Sequence, residues 1–201
     1  MAAPRPKLEF WYDFASTYSY LAAMRIETVA EAAAVDVIWK PFLLGPIFSA
    51  QGWNTSPFNI YPAKGRYMVR EMQRLATERG LAFKLPSPFP QNSLYAARLA
   101  LIGHDEEWGP QFTRAVYVAE FANGANIADR QTLAAILGEL GLDAAALLQR
   151  IEQPEVKQRL RERTEEAEEL EIFGAPSFLA REELYWGDDR LEQAIARLKR
   201  S

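Results

Sequence analysis

The chain has 201 residues, 49% of them hydrophobic and 25% charged, which fits one domain with room for a large insertion and a sizeable core. Its 27 acidic residues outnumber the 23 basic ones, for a formal charge of −4 with no Lys/Arg block, so nucleic acid is not an expected partner. With no cysteine there is no disulfide, thiolate metal site, redox pair or cysteine nucleophile, and the single histidine, His104, excludes a multi-histidine metal site.

Residues 8–14 (LEFWYDF) form a short aromatic run typical of a buried strand. Apolar positions at helical spacing then predict one helix over 18–34, and alternation over 35–42 predicts a second strand stopped by Pro41. Residues 44–62, rich in Gly, Pro, Asn and Ser, read as an ordered loop of a length that is often functional. Six helices follow, over 63–80, 91–103, 110–122, 129–140, 143–149 and 155–171, with Asp129 and Asp143 at N-cap positions. Residues 176–180 and 183–186 form a hairpin, and Leu191, Ile195 and Leu198 make one face of a closing helix over 190–199.

A β-α-β opening, a helical middle and a β-β-α end give an α/β protein, a thioredoxin-like fold with a large all-helical insertion. The thioredoxin-like part is expected at about residues 1–62 and 172–201, and the insertion at about 63–171. Residues 1–14 carry Pro4, Pro6, Glu9 and Asp13 and lack the apolar run of a secretory signal, and no run of 18 apolar residues occurs, so a soluble, cytoplasmic protein is expected.

The junction after the first strand is the most informative segment. In a thioredoxin-type fold the reactive group sits at the first turn of the following helix, and here Ser16-x-x-Ser19 occupies the place of a redox C-x-x-C. A hydroxyl does no redox work. It does donate a hydrogen bond to a thiolate brought in by a ligand, worth about 1.5–3 kcal/mol to a charged acceptor.

Six features in order carry a resemblance: Asp13-Phe14-x-Ser16-x-x-Ser19-Tyr20, Lys40-Pro41-Phe42-Leu43-Leu44-Gly45, Asn54, Lys64-Gly65-x-Tyr67, Phe173-Gly174-Ala175-Pro176-x-Phe178 and Trp186-Gly187-Asp188-Asp189-Arg190. Together they resemble the 2-hydroxychromene-2-carboxylate isomerase family, itself similar to kappa-class glutathione transferases. The resemblance implies a homodimer, glutathione as cofactor and a small aromatic carboxylate as substrate. It makes Ser16 the catalytic residue that contacts the glutathione sulfur, within a first turn that includes Thr17 and Tyr18. Asn54 would meet the glycyl end, Ala175 before a cis-Pro176 the cysteinyl part, and Asp188 and Asp189 the γ-glutamyl ammonium.

One departure is visible: the family commonly has Pro after the active serine, and this chain has Thr17. The substrate carboxylate is assigned by resemblance or residue type to Lys64 or Asn92, with Arg66 and Arg98 as further candidates. Trp11, Tyr18, Phe48, Trp53 and Tyr61 are candidates for a flat apolar wall.

Plainer readings stand beside these. Ser16 is also a favoured capping residue, Asn54 fits an ordinary turn, and His104, in an acidic Gly-bounded stretch, reads as solvated surface. A kappa-like transferase or peroxidase would share every residue named. A thioredoxin-fold binding module without activity is the alternative from another class.

Overall fold

The computed structural model describes residues 4–199; the outermost limits of the expected domain division, residues 1 and 201, lie outside them. Four strands form one sheet in the order β2-β1-β3-β4: β1 (Lys7–Tyr12), β2 (Asp36–Pro41), β3 (Ser177–Ala180) and β4 (Glu183–Trp186). β1 pairs parallel with β2 and antiparallel with β3, so Phe10 lies between Trp39 and Phe178. Residues far apart in sequence thus meet beside the central strand.

Both faces of β1 are covered. Leu8, Phe10 and Tyr12 point into the main core, whereas Trp11, on the opposite face, is buried with Phe42, Ile47, Ala167 and Ile172. An alternating strand with both faces apolar belongs at the centre of a sheet, and β1 occupies that place.

The expected first helix is two: α1 (Thr17–Ala23) and α2 (Ile26–Ala32). The chain leaves helical geometry at Arg25, with φ −131° and ψ −16°. The cause is tertiary. Arg25 donates from Nε to Asp188 Oδ1 at 3.2 Å and from Nη2 to the Asp188 carbonyl at 2.6 Å. A charge-assisted pair of bonds outweighs one turn of helix propensity.

The expected loop over 44–62 also holds structure: α3 (Leu44–Ala50) and α4 (Pro57–Ile60). Pro46 and Pro57 fall in first turns, where a missing N–H leaves no hydrogen bond unmade, so proline there starts helices as well as turns. α5 (Pro62–Glu78), α6 (Leu94–Asp105), α7 (Gly109–Tyr117), α8 (Arg130–Glu139), α9 (Ala144–Arg150) and α10 (Pro154–Glu169) follow, and α11 (Leu191–Lys199) closes the chain. Asp129 and Asp143 cap α8 and α9 by accepting from the Gln131 and Ala146 N–H groups. α7 runs on into a π-helical turn over Val118–Ala122.

One core joins the sheet to the helices between β2 and β3. Phe14 packs on Tyr117 with ring centroids 5.2 Å apart, and Tyr20 on Phe121 at 5.7 Å. His104, expected on a solvated loop, lies instead within α6 and stacks on Trp39 at 6.2 Å. Its Nε2 is 3.0 Å from the Tyr12 hydroxyl, which is also 2.9 Å from Thr113 Oγ1. Burial, then the Arg163 charge, lower the imidazole to about 4, so it is neutral. The acids that follow it in sequence turn outward while its own helical phase turns it in.

Candidate active site

At the C-terminal end of β1 the chain turns through residues 13–16, and Asp13 fixes that turn. Its Oδ1 accepts from the Ala15 N–H at 2.9 Å and its Oδ2 from the Leu44 N–H at 2.7 Å. Asp13 is 3% exposed, and burial pushes its carboxyl up against the hydrogen bonds from Leu44, Ser93 and Ala15. One side chain therefore ties the turn before α1 to the start of α3.

Ser16 is the N-cap of α1: its Oγ accepts from the Ser19 N–H at 3.2 Å and donates to the Ala175 carbonyl at 2.8 Å. The Ala175–Pro176 peptide is cis. Thr17 packs inward, its hydroxyl 3.6 Å from Met68 Sδ on α5. Tyr18 meets the same helix one turn further on and donates to Glu71 Oε2 at 2.5 Å.

These groups line a cavity of about 1190 Å³, large for one small ligand. The structure brings Ser16, Thr17, Tyr18, Asn54, Lys64, Asn92, Ala175, Pro176, Asp188 and Asp189 to its wall. Asn92 is partly engaged, its Oδ1 accepting from the Leu94 N–H at 2.9 Å. Of the wall aromatics, Tyr18, Phe48 and Trp53 line it, and Phe48 and Trp53 pack at 5.7 Å. Trp11 does not, because strand alternation sends it to the other face of the sheet, and Tyr61 is exposed outside the lining. Arg66 and Arg98 also lie outside; Arg98 instead reaches Glu152 at 3.7 Å.

The two aspartates differ. Asp188 is buried and clamped, with Arg79 Nη2 2.6 Å from its Oδ2 as well as Arg25 at its Oδ1. Asp189 is open to solvent beside Arg190 at 3.3 Å. Gly187 makes the bend possible, since its φ of 110° is one that side-chain-bearing residues rarely adopt.

Sequence reasoning missed Glu71, Arg79, Gln91 and the aromatics Phe58, Tyr67, Phe89, Phe173 and Trp186 in the wall. Phe173, Tyr67 and Trp186 lay within the quoted motifs, but nothing in their spacing assigned them to the cavity. Two buried donors on lining residues, Arg79 Nη1 and Gln91 Nε2, have no hydrogen-bond partner. Among the described residues there is no group of His, Cys, Asp or Glu able to hold a metal, and no helix long and apolar enough to cross a membrane.

A family model described as a DSBA-like thioredoxin domain matches residues 7–199. The chain is 32% identical to a 2-hydroxychromene-2-carboxylate isomerase of Pseudomonas putida over 96% of each chain. It is 26% identical to human glutathione S-transferase kappa 1, covering 94% of this chain and 89% of that one. A solved 2-hydroxychromene-2-carboxylate isomerase superposes with a TM-score of 0.85 at 27% identity over 96% of each chain. Sheet order, turn, cis-proline and comparisons agree: the chain belongs to the DSBA-like thioredoxin family and, within it, to the family of the 2-hydroxychromene-2-carboxylate isomerases.

Proposed function

We propose that the chain is a glutathione-dependent isomerase that interconverts 2-hydroxychromene-2-carboxylate and its ring-opened trans-benzylidenepyruvate isomer. The observation that carries the reading is the Ser16 hydroxyl set against the carbonyl that precedes cis-Pro176, in the wall of a cavity roomy enough for a tripeptide and an aromatic acid. Bound there, glutathione supplies a thiolate, a nucleophile that a cysteine-free chain does not own.

The residues fit that guest. The Ala175 carbonyl accepts a peptide N–H, and the Arg79 guanidinium at the wall suits a carboxylate. Asp189, paired only with the exposed Arg190, is the acid open to an ammonium, while Asp188 is occupied by Arg25 and Arg79 and serves to place Arg79 at the wall. Asn54 and Lys64 remain available for the glycyl end and for the substrate carboxylate. Ser16 has one proton, and the Ala175 carbonyl now takes it. The carbonyl has a second lone pair for a guest N–H, and the Ser16 proton turns to the sulfur because a thiolate is the charged, stronger acceptor.

A charge-assisted bond of about 1.5–3 kcal/mol lowers a thiol pKa by about 1–2 units. A thiol with a pKa near 8.5 is about 3% ionised at pH 7 and about 24–76% ionised once lowered by that much, so Ser16→Ala is expected to cut turnover at pH 7 by about 8- to 25-fold with glutathione affinity largely kept. The test is absorbance-monitored interconversion of authentic 2-hydroxychromene-2-carboxylate with glutathione. Absence of interconversion, with an adduct accumulating from an aryl halide, overturns the isomerase reading in favour of a transferase. A calorimetric titration with no heat of glutathione binding overturns both.

A further inference from the structure

The reaction just proposed needs a proton moved as well as a sulfur. Opening the hemiketal removes a proton from its hydroxyl, breaks the bond from that carbon to the aryl oxygen, forms a carbonyl and leaves an aryl oxygen that needs a proton. No net proton is gained or lost, so one shuttle near the ring is enough. The one histidine lies in the core and outside the cavity wall, which leaves the work to other groups.

Four carboxylates line the cavity, and their partners sort them. Asp13 is 3% exposed and held by two backbone N–H groups and the Ser93 hydroxyl, so both its oxygens are engaged in fixing the turn, and Asp188 is held by two guanidinium groups. Asp189 lies out in solvent beside Arg190. Glu71, on α5, is held by hydroxyls alone. Tyr18 donates to its Oε2 at 2.5 Å and Tyr67 to its Oε1 at 3.1 Å. Tyr18 sits two residues after Ser16, in the same helical turn, and burial with Glu71 beside it keeps its phenol protonated. Thr17 and Met68 lock the facing turns of α1 and α5 together, which fixes the pair relative to Ser16.

We infer that Tyr18 and Glu71 form the proton-transfer pair of this site, with Tyr67 orienting the carboxylate. Glu71 takes the hemiketal O–H proton, Tyr18 gives its own to the departing aryl oxygen, and Glu71 returns a proton to Tyr18 through their hydrogen bond. In the reverse direction the same groups exchange roles.

This inference rests on the isomerase reading, and the experiment separates the two. Wild-type protein, Tyr18→Phe, Glu71→Gln and Glu71→Ala are compared for turnover of the hemiketal carboxylate at saturating glutathione, for glutathione binding by calorimetry, and for melting temperature. The expected result is a loss of about 100-fold or more in kcat in all three variants, with glutathione affinity and melting temperature unchanged, and partial recovery of Glu71→Ala by added formate. Variants within about threefold of an active wild type overturn the proton role and leave the isomerase reading standing. Variants that lose glutathione binding or the fold overturn it in favour of a structural pair. A wild-type protein that binds glutathione without turning over the hemiketal overturns the reading and this inference together.

Discussion

Glu120 lies in the π-helical turn after α7, is 0% exposed, and has no hydrogen-bond partner on either carboxylate oxygen. Burial, then the nearby Asp13 charge, hold its carboxyl well above the ordinary range. In the unfolded chain the same carboxyl ionises near 4.3, so above that pH the folded state carries the extra proton. Stability then falls as pH rises toward the folded value, by about 1.4 kcal/mol per pH unit for this one group. His104 tilts the profile the other way: neutral and lowered to about 4 in the fold, it costs stability as pH drops from about 6.5, about 3 kcal/mol in all. Glu120→Gln keeps the shape and removes the titration. The variant is expected to gain on wild type as pH rises from about 5 to 7. Urea denaturation at constant ionic strength, read as the difference between the two proteins, cancels the His104 contribution. A difference that does not change with pH over that window refutes the argument.

Asp188→Asn leaves Arg25 and Arg79 without their shared buried anion, and breaking such a set costs about 3–5 kcal/mol. A melting temperature lower by about 10 °C is the expected reading for a chain of this size. Gly174→Ala sets a methyl 2.4 Å from Trp186 Nε1, so the indole must leave its seat at the cavity wall. Weaker binding of an aromatic carboxylate, followed by quenching of tryptophan emission, checks that displacement. Tyr12→Phe removes a buried hydroxyl that serves both His104 and Thr113, and equilibrium unfolding should register a loss of about 1–3 kcal/mol.

The thioredoxin-like plan was legible because its signals are local. An aromatic strand, capped helices and a terminal hairpin each announce themselves within ten or so residues, and β4 falls on the expected residues. The break at Arg25 was not legible, because its cause sits 163 residues away at Asp188. His104 was misread for a related reason: its neighbours in sequence are acidic, but helical phase, invisible to composition, turns it onto Trp39. The turn bearing Ser16 and the segment before cis-Pro176 stood out as motifs. Glu71, by contrast, sits in a charged helix where nothing marks it apart from Glu78. Only the packing of α5 on α1 places it beside Tyr18.

The interlocked rings of Phe14, Tyr20, Tyr117 and Phe121 have a consequence for entry to the cavity. The sheet and the helices between β2 and β3 share these rings in one core, so parting them would dismantle the interior. Freedom to admit a guest is left to α3 and α4, where Ile47 is the one buried residue in the first and the second has none. α3 and α4 thus form the least anchored stretch of the cavity wall.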